Sequence, residues 1–312
     1  MENIFSDIKV LVIGDIMLDY YIYGDTDRVS EEAPVPIVNV NKRIWSPGGA
    51  ANVAKNIVEL GGECSLIGKI CYDENGQILS DLLRESKVDF NPVLIMGYNT
   101  TTKTRIISKH QQLLRFDEED IEELNEYFSE EVYKIVESKI SDYSMIIISD
   151  YGKGFCSQLL CKKVIDLANK NNIKVLVDPK DADWDKYNGA FLISPNVKEL
   201  SQICGCVINN DDSSVVEKGK QIYGIYTMDY LLVTRSEKGA TLIGKNIEHH
   251  IPSVAKEVFD VSGAGDTMIS VIALFLCKGD SIKTAIDNAI RASGIVIGKV
   301  GTIPITYDEL MG

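Results

Sequence analysis

Positive charge and long apolar segments are both scarce in this sequence of 312 residues. It has 32 lysines and arginines against 46 aspartates and glutamates, which gives a net charge of −14. Such an acidic surface repels phosphate backbones and argues against nucleic acid as a partner. A site for an anionic substrate would therefore have to be built from local donors.

Membrane and metal-binding signals are also missing. Apolar segments such as residues 271–277 are too short for a membrane span, which takes about 20 residues. The N-terminal run MENIFSDIKV has no basic stretch followed by an apolar one, so we expect no secretory signal. The seven cysteines include one close pair, Cys204 and Cys206, with none of the three histidines nearby. We therefore expect no zinc site, and interpret the cysteines as reduced thiols of a cytoplasmic protein.

Short β-branched segments alternate with helical ones along most of the chain. This alternation predicts a mostly parallel sheet between two helical layers, a three-layer α/β/α sandwich. Since no repeat or linker interrupts it, we expect one domain over residues 1–312. The predicted strands are 9–14, 64–70, 145–149, 173–178, 191–194 and 230–234, and the predicted helices are 48–60, 75–86, 126–139, 157–170, 196–204, 215–226, 263–278 and 281–299.

Two regions do not fit the alternation. Segments near 15–40 and 90–116 are rich in β-formers, and the second contains a predicted hairpin, 101–108 with 111–116. We expect these strands to form a small β-sheet lid over the carboxyl ends of the main strands, where ligands bind in such folds. Apolar residues of the lid could also pair across a two-fold axis, so we expect a homodimer.

The run Gly263-Ala264-Gly265-Asp266 opens a predicted helix with an apolar body. Small side chains let an anion approach the unpaired N–H groups of the first helical turn. Asp266 would lie beside that anion and could take a proton from a hydroxyl that attacks phosphorus. The alternative is a glycine-rich entry to a packed helix, with Asp266 stabilising the helix dipole.

The glycine-rich run at residues 263–266 is one of several segments that resemble the same family. Residues 260–266 resemble the C-terminal signature of the ribokinase-like (PfkB) sugar kinases, and residues 47–54 resemble their N-terminal glycine signature. Further segments are similar to the heptose 7-phosphate kinases within that family. These segments are residues 14–19, 30–36, 111–115, 149–154, 177–180 and 234–239.

The resemblance implies a ribokinase-like fold and an ATP-dependent sugar kinase that uses Mg²⁺, often with a monovalent cation such as K⁺. It implies Asp266 as the base, and Gly263, Ala264 and Gly265 as the anion hole. Asn196 and Glu199 match a motif associated with magnesium and phosphates, and Glu199 and Asp260 are the expected metal ligands. The implied reaction transfers phosphate from ATP to O1 of D-glycero-β-D-manno-heptose 7-phosphate. We expect no cytidylyltransferase domain in this chain.

Two alternatives stay open at this point. One is a kinase of the same family that acts on another sugar, sugar phosphate or nucleoside. The other is a non-catalytic sugar-binding protein on the same fold, because a fold does not determine a function.

The remaining candidates follow from their places at predicted strand ends. Asp15, Asp19 and Asn52 could hydrogen-bond sugar hydroxyls, while Gly48 and Gly49 would let a sugar lie against the backbone. Loop capping and close helix–sheet packing are the alternatives for these positions. A substrate phosphate would need cations, and the candidates are Arg105, Lys109, Arg115, Lys153 and Lys180, with surface ion pairing as the alternative.

The ATP-binding part of the site is expected near the end of predicted strand 230–234. Asn196 and Glu199 could contact magnesium and phosphates, but they also fit a helix N-cap three residues from a glutamate. The other candidates for the phosphates, ribose and adenine of ATP are Thr234, Ser236, Lys238, Gly239 and Asn288.

Overall fold

The structure is a computed structural model that describes residues 3–96, 99–109, 111–180, 182–254, 260–299 and 301–312. The strands are β1 (Lys9–Gly14), β2 (Ile16–Val29), β3 (Pro36–Gly49), β4 (Glu63–Cys71), β5 (Asp89–Ile95), β6 (Thr102–Ser108), β7 (Gln111–Glu118), β8 (Met145–Ser149), β9 (Lys174–Asp178), β10 (Ala190–Ile193), β11 (Met228–Thr234), β12 (Ala240–Gly244) and β13 (Ile247–Ile251). The α-helices are α1 (Ala50–Glu59), α2 (Glu74–Glu85), α3 (Glu126–Lys139), α4 (Gln158–Lys170), α5 (Val197–Cys204), α6 (Asp212–Ile225), α7 (Ala264–Cys277), α8 (Ile282–Val296) and α9 (Tyr307–Met311).

Nine strands form the main sheet in the order β13-β12-β11-β10-β9-β8-β1-β4-β5. From β11 to β5 every neighbouring pair is parallel, and β12 and β13 add an antiparallel edge. The central strands are short runs of valine, isoleucine and leucine, and all of β8 is buried. Such continuous apolar strands are typical of a parallel sheet that is covered on both faces.

The two faces of the sheet carry separate hydrophobic cores. Val10 and Val12 of β1 belong to the core formed with α1, α7 and α8, whereas Leu11 and Ile13 belong to the core formed with α3 and α4. This division follows from the two-residue period of a strand, which sends successive side chains to opposite faces. The expected three-layer α/β/α sandwich is confirmed.

The lid is a four-stranded sheet in the order β3-β2-β6-β7. β2 starts directly after Asp15, and β3 ends at Gly49, where α1 begins. The lid is therefore connected directly to the carboxyl edge of the main sheet. The predicted hairpin is present as β6 and β7, which pair antiparallel.

The lid boundaries differ from the expected ranges 15–40 and 90–116. The lid strands lie within residues 16–49 and 102–118, whereas β5 pairs parallel with β4 at the edge of the main sheet. β4, α2 and β5 thus form one more strand–helix–strand unit. The sequence did not reveal it, because β5 is only partly buried and lacks a continuous apolar run. Within the described residues, no helix has the length and apolar character that crossing a bilayer requires.

Gly48 and Gly49 were predicted to open a helix, and this is wrong. Both residues pair with β2, and α1 starts only at Ala50. Gly49 has φ 60, a left-handed conformation that cannot continue a right-handed helix. The hairpin of β12 with β13 was not predicted either, because residues 240–251 mix polar and apolar side chains without a strong period.

Candidate active site

The candidate site lies at the carboxyl ends of the central strands, under the lid. Asp15 follows β1, Tyr151 lies shortly after β8, and Asp178 ends β9. The N-terminus of α7 enters the same region with Gly263 as its N-cap. Parallel strands bring these chain segments together because their carboxyl ends share one edge of the sheet.

The glycines of the α7 loop have different roles. Gly263 has φ 79, and a Cβ there would lie 2.8 Å from Asn52 Nδ2. A Cβ at Gly265 would meet nothing within 4 Å, so open space lies in front of the first turn of α7. The Ala264 N–H donates to Val261 O at 3.3 Å and the Thr267 N–H to Gly263 O at 2.9 Å. The remaining N–H groups of a first helical turn have no partner inside the helix and can bind an anion.

Asp266 lies in the first turn of α7 and is only 4% exposed. Asn52 Nδ2 donates to its Oδ2 at 2.7 Å, and the Tyr151 hydroxyl donates to its Oδ1 at 2.5 Å. Burial raises the pKa of Asp266 to about 6, and the two hydrogen bonds oppose that rise. Such a carboxylate is ionised at pH 7, yet basic enough to accept a proton from a hydroxyl.

A buried polar network fixes Asn52 itself. Asn56, one turn further along α1, donates its Nδ2 to Asn52 O at 2.9 Å, and Asn52 Oδ1 lies 3.4 Å from the same nitrogen. Thr267 of α7 donates its hydroxyl to Asn56 Oδ1 at 2.9 Å. With its oxygen facing Asn56, the Asn52 amide presents its N–H to Asp266. Sequence reasoning missed Asn56, and its only signal was a position four residues from Asn52.

Asp15 was expected to contact the sugar, but its carboxylate binds backbone N–H groups of the protein instead. It is 2% exposed, and its carboxylate accepts hydrogen bonds from the backbone N–H groups of Tyr151, Lys153 and Phe155 at 2.8 to 3.0 Å. Burial, followed by the charge of Asp150, raises the pKa of Asp15 to about 6 against these bonds. Its carboxylate therefore holds the loop after β8, which is the capping alternative for this residue.

Asp19 and the glycines of β3 lie close together. Arg105 donates to Asp19 Oδ1 at 2.6 Å, and a Cβ at Gly48 would approach Asp19 Oδ2 to 2.5 Å. A Cβ at Gly49 would lie 2.5 Å from Asp15 O. Close backbone packing is thus a sufficient reason for both glycines, whether or not a sugar also lies against them.

A cationic cluster covers the side of the lid that carries Asp19. In the strand register, Asp19 of β2 lies opposite Lys103 of β6, which lies opposite Asp117 of β7. The next row on the same face of the lid holds Tyr21, Arg105 and Arg115. Directly opposed residues share one face of a sheet, so Lys103, Arg105 and Arg115 lie on the same face as Asp19. Burial, and then the charge of Arg115, lowers the pKa of Lys103, which the Lys153 charge also lowers. Lys103 was not among the predicted residues.

The five predicted phosphate-binding cations therefore lie in three different places. Arg105, Arg115 and Lys153 belong to this cluster, where Arg115 pairs with Asp117 and Lys153 with Glu119. Lys109 is exposed at the far end of β6. It lies six residues from Lys103, roughly 20 Å along a strand. Lys180 Nζ lies 3.0 Å from Glu199 Oε1, which places it with the other predicted nucleotide residues.

A cavity of about 430 Å³ borders the α7 loop. Its walls come from the end of β11, the N-terminal half of α7 and the C-terminal half of α8. The lining residues include Thr234, Ser236, Gly239, Ser253, Ala264, Gly265, Met268, Ile290, Ser293, Gly294 and Ile297. Gly265 thus borders this cavity, and Asp266 is the next residue of α7.

Four of the seven predicted nucleotide contacts, Asn196, Glu199, Lys238 and Asn288, do not line this cavity. Lys238 donates to the backbone oxygen of Asn210, and Asn288 donates to Thr284 O at 2.9 Å, one turn back in its own helix. Asn288 was expected to contact the adenine of ATP. The cavity wall formed by α7 and α8 instead carries the apolar residues Met268, Ile290 and Ile297.

Asn196 and Glu199 form the capping box of α5. Asn196 Oδ1 accepts from Glu199 N, and Glu199 Oε2 accepts from Asn196 N, both at 2.9 Å. Burial, followed by the charges of Asp266 and Glu199, raises the pKa of Asp178 well above its usual value. Asp178 and Glu199 offer carboxylate oxygens, the ligand type that Mg²⁺ prefers, while Glu199 already accepts from Lys180 Nζ and Asn196 N. The oxygens of Asp260 accept from Ser262 N and Gly301 N, which orders the approach to Gly263.

The family model of the pfkB family carbohydrate kinases matches residues 7–308. The chain therefore belongs to the pfkB family of carbohydrate kinases, as the two glycine signatures indicated.

Curated relatives and solved structures agree with that assignment. The chain is 46% identical over 307 residues to the bifunctional protein HldE of Haemophilus influenzae (strain ATCC 51907 / DSM 11121 / KW20 / Rd), covering 98% of this chain and 63% of that protein. It is 44% identical over 308 residues to HldE of Pasteurella multocida, with the same coverage. The chain thus spans less than two thirds of these relatives.

The solved structures share the fold at low identity. Phosphofructokinase-2 from Escherichia coli, in complex with potassium, has a TM-score of 0.78 and 19% identity, with 97% of this chain and 96% of that chain covered. Ribokinase from Arabidopsis thaliana, complexed with ribose and ATP, has a TM-score of 0.76 and 16% identity, with 97% of both chains covered.

Proposed function

We propose that this carbohydrate kinase phosphorylates D-glycero-β-D-manno-heptose 7-phosphate at its anomeric O1. The observation that carries the proposal is the cationic cluster of Lys103, Arg105, Arg115 and Lys153 beside Asp19. Among the residues that the structure describes, the four cations pair with only three carboxylates, Asp19, Asp117 and Glu119, so this group keeps one net positive charge in a chain of net charge −14 and can take a further anionic partner. A sugar that already carries a phosphate supplies one. The similarity of residues 14–19, 30–36 and 149–154 to heptose 7-phosphate kinases supports the choice of sugar.

The two sides of Asp266 define the proposed reaction. The sugar lies between Asp19 and Asp266, with its phosphate toward the lid cations. ATP occupies the cavity lined by Thr234, Ser236 and Gly239, with its γ-phosphate in front of Gly265. Asp266 removes the proton of the sugar hydroxyl as the oxygen attacks phosphorus, and the N–H groups of residues 263–265 stabilise the developing charge.

Cations complete the proposed site. Magnesium, when bound, would neutralise phosphate charge, and Glu199 is the residue that would hold it, with the Asp178 carboxyl nearby. A monovalent cation such as K⁺ would lie beside the loop that Asp260 orders. Lys180, close to Glu199, could contact the phosphates of ATP.

A coupled ADP-release assay over a panel of sugars and sugar phosphates tests the substrate. The panel should contain heptose 7-phosphate, fructose 6-phosphate, ribose and a nucleoside. We expect the highest kcat/KM with heptose 7-phosphate. A strong preference for fructose 6-phosphate or ribose would reject the heptose assignment but leave a family kinase. Sugar binding with no ADP release from any substrate would indicate a non-catalytic protein.

We also infer that the lid mediates a homodimer. Its other face carries Tyr20, stacked on Trp45 with ring centroids 5.0 Å apart. Leu114 and Phe116 lie on the same face and are 53% and 44% exposed. A second copy of the lid would cover this apolar face.

A further inference from the structure

Tyr151 makes a contact with Asp266 that the proposed reaction does not yet use. Its hydroxyl donates to Asp266 Oδ1 at 2.5 Å, opposite the bond from Asn52 to Oδ2. The carboxylate is thus held at both oxygens by neutral donors. This arrangement sets the rotation of the carboxylate about its Cβ–Cγ bond.

The position of Tyr151 is itself fixed from both ends. Its backbone N–H donates to Asp15 Oδ2 at 2.8 Å. Its ring passes Gly49, where a Cβ would lie 3.5 Å from ring atom Cδ2. Burial raises the pKa of the Tyr151 hydroxyl well above its usual value, and the Asp266 charge adds to the rise. The phenol therefore keeps its proton at physiological pH and acts as the donor.

We propose that Tyr151 is a positioning residue that orients the Asp266 carboxylate toward the sugar hydroxyl and keeps it ionised. The inference rests on the proposed role of Asp266 as the base. A hydrogen bond donated to a carboxylate favours the charged form, whereas burial and like charges favour the neutral form.

The groups around Asp266 determine the sign of the effect. Asp19 of β2 raises its pKa, and Asp178 of β9 lies close enough that the Asp266 charge raises the pKa of Asp178. Tyr151 and Asn52 act in the opposite direction. Removal of the Tyr151 hydroxyl must therefore raise the pKa of Asp266, and less of the base is ionised at neutral pH.

The test is the pH dependence of kcat/KM for Tyr151→Phe, which removes one oxygen atom. We expect the acidic limb to move up by about one pH unit, which by itself lowers the ionised fraction at pH 7 only about twofold. The lost orientation of the carboxylate should lower kcat roughly tenfold at all pH values, with KM for ATP unchanged. Tyr187→Phe is the matched control. Tyr187 also donates to a buried carboxylate, Asp150, at 2.6 Å, but does not contact Asp266. An unmoved acidic limb in Tyr151→Phe, or an equal shift in Tyr187→Phe, would overturn the proposal.

A second readout does not depend on activity. Carboxyl ¹³C NMR of aspartate-labelled protein follows the titration of Asp266, which Asp266→Asn assigns by the loss of one signal. We expect Tyr151→Phe to raise that midpoint. If this variant does not fold, 3-fluorotyrosine at position 151 is the replacement. Its stronger donor should lower the midpoint, and an unchanged or raised midpoint would refute the inference. Should Asp266→Asn retain near-normal turnover, the base assignment fails, while the NMR result on Tyr151 still stands.

Discussion

At the residue scale, Asp266, the proposed base, carries a cost in stability. Its pKa of about 6 in the folded protein lies above its ordinary value of 3.8. The folded state therefore favours the protonated form, and stability from this group is lost as the pH rises from 3.8 through about 6. A shift of this size corresponds to about 3 kcal/mol at most. Asp15 shares the sign of this effect.

Replacement of Asp266 by asparagine should separate activity from stability. We expect turnover to fall by about 10²–10⁴-fold, as is typical for the loss of a general base, with the affinity for the sugar roughly kept. The free energy of unfolding at pH 8 should rise by about 1–3 kcal/mol, and the gain should vanish near pH 4. Urea unfolding at both pH values, together with the ADP-release assay, measures these effects. Near-normal turnover would exclude Asp266 as the base.

Asp15 shows where reasoning on single residues reached its limit. A carboxylate after a strand end can bind a sugar or hold a loop, and both uses produce the same pattern in the sequence. Three backbone N–H groups from residues 151–155 decide the matter, because they surround the carboxylate and leave it 2% exposed. Those donors come from a segment far along the chain, which no local pattern could indicate.

At the scale of elements, the first turn of α7 can be tested with one methyl group. Gly265→Ala adds a Cβ that meets no atom of the protein within 4 Å but enters the proposed place of the γ-phosphate. We expect thermal stability to be kept or slightly raised, since alanine is about 1 kcal/mol better than glycine in a helix. The value of kcat/KM for ATP should fall at least tenfold.

The control for this change is Gly224→Ala in α6, which also meets nothing within 4 Å. It should leave activity unchanged and, by the same helix preference, keep or slightly raise the melting temperature. Full activity of Gly265→Ala would show that the loop does not approach the transferred phosphate.

The lid strands β6 and β7 give a second prediction at this scale. Arg115→Met removes one cation from the proposed phosphate site. Hydrogen bonds to charged groups contribute about 1.5–3 kcal/mol, so KM for the sugar phosphate should rise roughly 10- to 100-fold. The KM for ATP should not change.

Lys109→Met is the matched control, because Lys109 is exposed at the far end of the same hairpin. Steady-state kinetics with each substrate varied in turn distinguish the two variants. Equal effects of both substitutions would mean that the lid cations act only through the overall charge.

At the scale of the whole molecule, the apolar lid face predicts a dimer. Phe116→Glu places a charge at the centre of that face, so the protein should become monomeric at micromolar concentration. Val207→Glu is the control, since Val207 is a 93% exposed apolar residue outside the lid. Light scattering coupled to size-exclusion chromatography measures both. A monomeric wild-type protein under the same conditions would contradict the inference.

The amino-acid sequence by itself determined the alternation of strands and helices, the carboxyl edge as the place of the site, and the two glycine signatures of the family. These features are local, because strand periodicity and glycine-rich loops are encoded in adjacent residues. Only the tertiary structure decided that β5 joins the main sheet, that Asp15 holds a loop, and that Tyr151, Asn56 and Lys103 belong to the site. Each of these depends on contacts between residues distant in the chain, and the same residue type serves packing or chemistry according to what folds against it.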